Sequence, residues 1–252
     1  MQARHFWYAG RHRFLLAAVR EQLRRRGSAP ASLSAIDFGG GAGGWIRYLN
    51  QHAPTLFSEL ALSDSSSQAL ALAQNVVGSN VARLQLDLRQ LPWGAGGRWD
   101  VAFLLDVLEH IPEDALVLTQ IRDALKPGGL LFVTTPALRC FWSYNDELVH
   151  HVKRYNRADY RQLAEAVGLR LLDARYFMFL LSPLLVSRLG KRRRVADMTP
   201  EQVKQTLART HKVPFAPLNQ LLRGVFSLET PLGLRVPFPW GSSILGIFQR
   251  RI

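Results

Sequence analysis

The stretch AIDFGGGAGGW, Ala35 to Trp45, packs five glycines into six positions directly behind a short apolar run. After a buried strand, glycine removes the Cβ that would hold a ligand away, and a following helix offers unpaired N–H groups in its first turn. Gly39, Gly41 and Gly44 satisfy G-x-G-x-x-G, which keeps a dinucleotide site among the readings. Asp37 argues for a different ligand, because a carboxylate two residues ahead of the turn repels a pyrophosphate and attracts a cation. Further along stand groups suited to proton transfer: His110, then His150 and His151 within NDELVHHVKRYNRADY. Imidazole changes charge near neutral pH, so each of these histidines is a candidate base.

S-adenosylmethionine (SAM) carries a sulfonium and an ammonium, and so suits the acid-flanked turn better than a dinucleotide does. Asp37, Gly39, Gly41 and Gly43 also read as D-x-G-x-G-x-G. Methyl transfer is a direct displacement, so the protein must align the acceptor with the departing sulfur and, for an oxygen acceptor, remove a proton. His151 is the favoured base, with Arg154 as an anchor for an acidic or phosphorylated acceptor. His110 is a further candidate base or shapes its own turn. Asp146 and Tyr155 complete a polar cluster of ten residues, in which Arg154 has the alternative of pairing with Asp146 or Glu147. Trp142 and Tyr144 are read as a wall for the acceptor or as packing. No metal site is assigned.

These residues need a frame, and the chain supplies an alternation of apolar runs and amphipathic stretches. Leu33 to Phe38, Leu56 to Leu62, Val81 to Leu86, Val101 to Leu105 and Leu130 to Thr134 read as strands. Gly43 to Gln51, Ser66 to Val77 and Glu113 to Leu125 read as the intervening helices. Such alternation predicts a parallel sheet covered on both faces, with ligands bound at the carboxyl ends of the strands. Phe14 to Arg26 forms an amphipathic helix ahead of the sheet, inside an N-terminal cap of residues 1–29. LKPGG, Lys126 to Gly129 with its leading Leu125, reads as a helix end and turn. Arg157 to Val167 reads as a helix, Leu169 to Phe177 as a sixth strand and Ser242 to Phe248 as the last. The expected plan is one domain, with core segments 30–177 and 227–252 and a helical insertion or lid over 178–226.

Composition narrows the partners. The 252 residues carry 32 Lys+Arg against 19 Asp+Glu, a net charge of +13, which favours an anionic partner. One cysteine, Cys140, excludes an internal disulfide framework and a cysteine cluster for zinc. The first 26 residues show no secretory pattern, so a cytoplasmic location is expected. The stretch RYFMFLLSPLLVSRLGKRRR sets apolar residues against a basic cluster, Lys191 to Arg194. Pro183 divides it and it is too short to span a bilayer, so it is either a buried strand and lid helix or a peripheral contact with an anionic inner-membrane face.

The order of the motifs resembles that of class I SAM-dependent methyltransferases of the bacterial small-molecule type. The resemblance rests on IDFGGGAGG, on Asp64 in LALSDSS, on Asp87-Leu88 in LQLDLRQLPW, on WDVAFLLDVLEHIPE and on LKPGGLLFVTTP. It is strengthened by HFWYAGR near the start, HHVKRY after the fifth strand and FPWGSS before the last. It implies a Rossmann-like α/β fold, a seven-stranded sheet whose last strand runs antiparallel. It also implies SAM as cofactor, with Gly39, Gly41 and Gly43 approaching the methionine part and Asp37 orienting the loop or meeting the ammonium. Asp64, about 20 residues beyond the turn as one helix and one strand require, would take the ribose hydroxyls. Asp87 would receive the adenine amino group over Leu88, and Asp106 and Val107 would border the transferred methyl. Tyr8 and Arg11 would close over the cofactor from the amino end. The implied activity is methylation of a small-molecule acceptor, oxygen preferred, the acceptor being anionic or lipid-linked. A nucleic-acid methyltransferase and a non-catalytic SAM-binding protein are the alternatives. After the fourth strand, LLDVLEHIP lacks the Asn/Asp-Pro-Pro-aromatic stretch of amino-directed DNA enzymes, and no proline precedes Cys140. The oligomeric state is not legible.

Overall fold

A computed structural model describes residues 5–27, 32–90, 96–183, 198–199, 201–203, 205–206 and 213–252. Its strands are β1 (Ser34–Phe38), β2 (Glu59–Asp64), β3 (Ala82–Gln85), β4 (Trp99–Leu105), β5 (Leu125–Pro136), β6 (Leu169–Phe177) and β7 (Ser243–Arg250). The helices are α1 (Phe6–Arg25), α2 (Gly44–His52), α3 (Ser67–Val77), α4 (Asp114–Ala124), α5 (Tyr144–Leu148), α6 (Arg157–Ala166) and α7 (Ala216–Arg235). The strands form one sheet in the order β3-β2-β1-β4-β5-β7-β6, and β7 runs antiparallel to both β5 and β6. This is the expected Rossmann-like seven-stranded architecture.

Strand order reverses between β1 and β4, which are parallel neighbours with Phe38 opposite Leu104. Chains leaving that point diverge to opposite sides, and the crevice left at the carboxyl ends is where such sheets bind ligands. Both sheet faces are covered, so β1 is buried at every residue and β4 is apolar and buried from Val101 to Leu105. Phe103 and Phe132 face Phe14, Trp45, Ile46, Leu49 and Phe226 on one side. Ile36 and Leu104 face Val117, Ile121, Tyr160 and Leu163 on the other.

Four expectations need correction. The first helix begins at Phe6 rather than Phe14, because the Phe6 N–H is capped by Asn219 Oδ1 at 2.9 Å and α7 supplies a surface for the extra turns. Gly10 lies so close to the Phe226 ring that any side chain there would collide with it. The second strand starts at Glu59, three residues late, since the buried Phe57 packs from the preceding loop. LKPGG belongs to β5 itself: Trp99 pairs with Leu125, and the ladder shifts register before resuming at Leu130. Finally, the boundary drawn between 226 and 227 falls inside α7, a single helix that packs along α1 and whose buried Glu229 accepts the N–H groups of Phe179 and Leu180 at 3.1 and 3.0 Å. Residues 184–197, including the basic cluster Lys191 to Arg194, lie outside the described residues.

Candidate active site

At the end of β1 the chain turns through Gly39, Gly40 and Gly41 before Gly43 opens α2. Gly40 is the tightest of these. A Cβ there would meet the Leu62 side chain and lie 2.5 Å from Asp37 Oδ2, so only glycine fits above that carboxylate. Gly41 has φ +56° and nothing within 4 Å of a built Cβ, so its bare face opens outward as a cradle for a ligand. Gly39 abuts Val107, joining the ends of β1 and β4. The structure changes the role of Gly43: its Cα faces Val77 of α3, and its N–H is bound to Gly40 O at 3.0 Å, so it serves helix packing and turn closure.

Asp37 is buried at the base of the turn, with no hydrogen-bond partner for Oδ1 among the described residues. Burial pushes its carboxyl up to about 7, against the pull of Arg11. A buried acid left without a donor is poorly stabilised alone and well suited to a cationic ligand. At the tip of β2, Asp64 accepts the Gly41 N–H on Oδ2 and the Ser66 N–H on Oδ1, each at 2.9 Å. A carboxylate has about four acceptor sites, so two bonds leave capacity for vicinal hydroxyls. Asp87 instead forms a local turn, taking the Arg89 N–H at 2.9 Å and the Arg89 guanidinium at 3.0 and 3.1 Å. These hydrogen bonds hold its carboxyl below the usual range. Leu88 is buried beside it.

At the end of β4, Asp106 has φ 56°, an unusual conformation for a residue with a Cβ. It is held there by its N–H to Thr134 O at 2.8 Å, by the Thr134 hydroxyl at 2.9 Å and by an ion pair with Arg11. Arg11, expected to close over the cofactor from the amino end, pairs its guanidinium with Asp106 and lies 4.7 Å from the Trp7 ring centroid and 5.7 Å from that of Tyr8. Tyr8 thus flanks the arginine from α1. Burial pulls Arg11 down to about 10, in keeping with a cation kept out of water.

One turn beyond, Glu109 and His110 meet His151. The histidine rings are 4.8 Å apart, and His151 Nε2 is 3.9 Å from Glu109 Oε1. Glu109 is buried, its Oε2 has no partner among the described residues, and burial pushes its carboxyl up to about 8. His110 is exposed at the rim, and burial of part of the ring together with His151 lowers its pKa. Behind them Asp146 accepts from His151 Nδ1 at 2.9 Å, from Arg154 at 2.7 and 3.0 Å and from the Ser143 N–H at 2.8 Å. Burial would raise this acid, but the hydrogen bonds from His151 and Arg154 hold it at about 2.

The buried polar groups of this segment find partners inside the protein. Asp146 is saturated by its neighbours and faces inward. Arg154 takes the ion-paired alternative, adding a bond to Ala137 O at 3.0 Å. Tyr155 is a core residue whose hydroxyl reaches Asp114 Oδ2 at 3.0 Å. Trp142 and Tyr144 are half-buried at the start of α5, next to the cluster in sequence. Sequence reasoning missed Gly40 and Glu109. Both had a signal, Gly40 as the centre of the glycine run and Glu109 as the acid beside His110.

The methyltransferase-domain family matches residues 6–174 of the chain. Among curated relatives, a ubiquinone biosynthesis O-methyltransferase of Cereibacter sphaeroides is 27% identical over 129 residues, covering 48% of this chain and 50% of that one. Its counterpart in Paraburkholderia xenovorans is 31% identical over 98 residues, covering 38% and 41%. The match thus spans about half the length of these relatives. Among solved structures, a Bacillus halodurans methyltransferase superposes with TM-score 0.57 at 18% identity, over 92% of this chain and 98% of that one. Haemonchus contortus phosphoethanolamine N-methyltransferase 2, solved with SAM, gives 0.58 at 17% identity over 91% and 51%.

Proposed function

This chain belongs to the SAM-dependent methyltransferases, and from that premise we propose that it methylates a hydroxyl of a small-molecule acceptor. What carries the donor half of this reading is the meeting of Asp37, the open face of Gly41 and Asp64 at the switch point of the sheet. Asp64 would hold the ribose and Asp37 the ammonium end, while Gly40 and Gly41 keep side chains out of the way. SAM supplies the methyl group on a sulfonium, already activated for displacement.

The acceptor half rests on the polar cluster one turn past β4. Asp146 binds His151 Nδ1, which fixes the ring and leaves Nε2 as the lone pair facing Glu109 and His110. An acceptor hydroxyl lying between this cluster and Val107 would lose its proton there. Relatives named O-methyltransferases support oxygen as the accepting atom. Titration calorimetry with SAM tests the donor half: Asp64→Ala should weaken binding at least about tenfold, since each charged hydrogen bond contributes about 1.5–3 kcal/mol. Equal affinity in that variant would sink the reading. Methyl transfer to a panel of hydroxylated aromatics, followed by mass spectrometry, tests the acceptor half.

An acceptor presented at an anionic membrane surface fits the remaining features. The net charge is +13, and α7 exposes Leu221, Leu228 and Leu232 at 63%, 74% and 47%. No helix among the described residues is long and apolar enough to cross a membrane, so contact would be peripheral. Sedimentation with phosphatidylglycerol vesicles at low salt should carry the protein down, and with neutral vesicles should not.

A further inference from the structure

We infer that Glu109, His110 and His151 form a binding site for one divalent metal ion, to which the acceptor oxygen coordinates. The inference rests on the oxygen-acceptor reading above and assigns the loss of that hydroxyl proton to a Lewis acid.

One ligand atom from each of the three side chains lies within 4.8 Å of the others. His151 Nε2 and Glu109 Oε1 stand 3.9 Å apart, too far for a hydrogen bond. That separation leaves room for an ion between the two atoms in place of a direct bond. Ligand bonds of about 2.0–2.2 Å to nitrogen and oxygen fit such a gap after small side-chain rotations. Glu109 strengthens the case, because it is 1% exposed and Oε2 lacks any donor among the described residues. The two nearby cations do not fill the need: Arg11 is taken by Asp106, and Arg154 by Asp146.

The outer partners also agree with a metal site. Asp146 accepts from His151 Nδ1, the carboxylate–histidine arrangement that orients a ligating ring and leaves Nε2 unprotonated. Asp146 is itself fixed by Arg154 and Ser143. Backbone closes the frame, with Val152 N–H on Glu109 O at 2.8 Å and His151 N–H on Asp146 O at 2.8 Å. Two neutral imidazoles and one carboxylate suit Zn²⁺, Mn²⁺ or Fe²⁺ and leave positions open for substrate oxygen. His110 is exposed, and its N–H is bound to Val107 O at 3.0 Å, so the site lies at the rim and follows directly on the end of β4.

A hydroxyl bound to the ion loses its proton to solvent more readily. The oxygen then forms the bond to methyl carbon, the carbon–sulfur bond breaks and its electron pair stays on sulfur. His151 in this scheme is a ligand, and no side chain need accept the proton.

Chelator-treated full-length protein, saturated with S-adenosylhomocysteine, should bind one Mn²⁺ per chain when titrated with MnCl₂ and followed by electron paramagnetic resonance. Pulsed spectra should show coupling to imidazole nitrogen, and His151→Ala should remove part of it and weaken binding at least tenfold. Glu109→Gln should weaken it similarly, and the exposed His110→Ala serves should the buried variant fail to fold. ZnCl₂ competition should displace Mn²⁺ at one equivalent. Absence of stoichiometric binding of either ion, or unchanged binding in folded His151→Ala and His110→Ala, overturns the inference. SAM affinity of the same metal-free protein is measured in parallel; its loss would count against the donor reading, while intact SAM binding without metal binding would count against the metal site alone.

Discussion

His151 Nδ1 lies 2.9 Å from Asp146 Oδ1, and the same buried carboxylate receives two bonds from Arg154. One acid therefore sets the direction of the histidine ring and neutralises a cation that would otherwise repel any positive charge at the site. Both histidine and arginine lie on a segment without regular structure, and Asp146 ties that segment to α5.

Asp146→Asn should leave SAM affinity within about twofold and reduce turnover by roughly tenfold or more, as loss of an orienting partner does. Breaking the buried pair with Arg154 should also cost about 3 kcal/mol of stability. Urea unfolding and steady-state kinetics on the same variant separate these effects.

The carboxyl of Asp146 titrates at about 2 when folded, below its unfolded value of about 3.9. Its contribution is therefore complete above about pH 4 and lost as pH falls through about 2. The stability gap between wild type and Asp146→Asn should hold constant from pH 8 to 5 and close in that acidic window, as followed by thermal unfolding.

Asp37 runs the opposite way. Its folded carboxyl is raised to about 7, so the folded apoprotein binds the proton more tightly than the unfolded chain does. Stability should fall as pH rises from about 4 through 7. A cationic ligand favours the ionised form, so SAM affinity should rise between pH 6 and 8, with proton release detectable by calorimetry in buffers of different ionisation enthalpy. Asp37→Asn should flatten that rise and stabilise the apoprotein at pH 8.

Gly40→Ala should be poorly tolerated, because its methyl would lie 2.5 Å from Asp37 Oδ2 and against Leu62. Overpacking of this kind costs about 1–3 kcal/mol. Gly41→Ala meets no atom within 4 Å but is strained by its φ of +56° and intrudes on the ligand side. Melting temperatures should therefore fall more for Gly40→Ala, while Gly41→Ala should show a SAM affinity loss larger than its stability loss predicts.

By itself the sequence determined the sheet and the donor motif. Strands β1 and β4 were legible because mostly apolar runs flanked by glycine or acid have one economical solution, a strand buried on both faces. The glycine turn, Asp37 and Asp64 were legible because their chemistry is local: spacing along the chain fixes which strand end each occupies. Only tertiary structure decided how polar side chains are shared. The sequence left Arg154 between anchoring an acceptor and pairing with Asp146, and in the fold it pairs with Asp146 while the Tyr155 hydroxyl reaches Asp114, since burial makes an unpaired polar group costly. Glu109 became notable only when His151, a distant residue in sequence, was folded against it. The start of α1 likewise depended on α7, whose Asn219 caps a helix 213 residues away. Pattern records what each segment prefers, whereas the partner that completes a buried charge is chosen by the packing of segments that share no sequence neighbourhood.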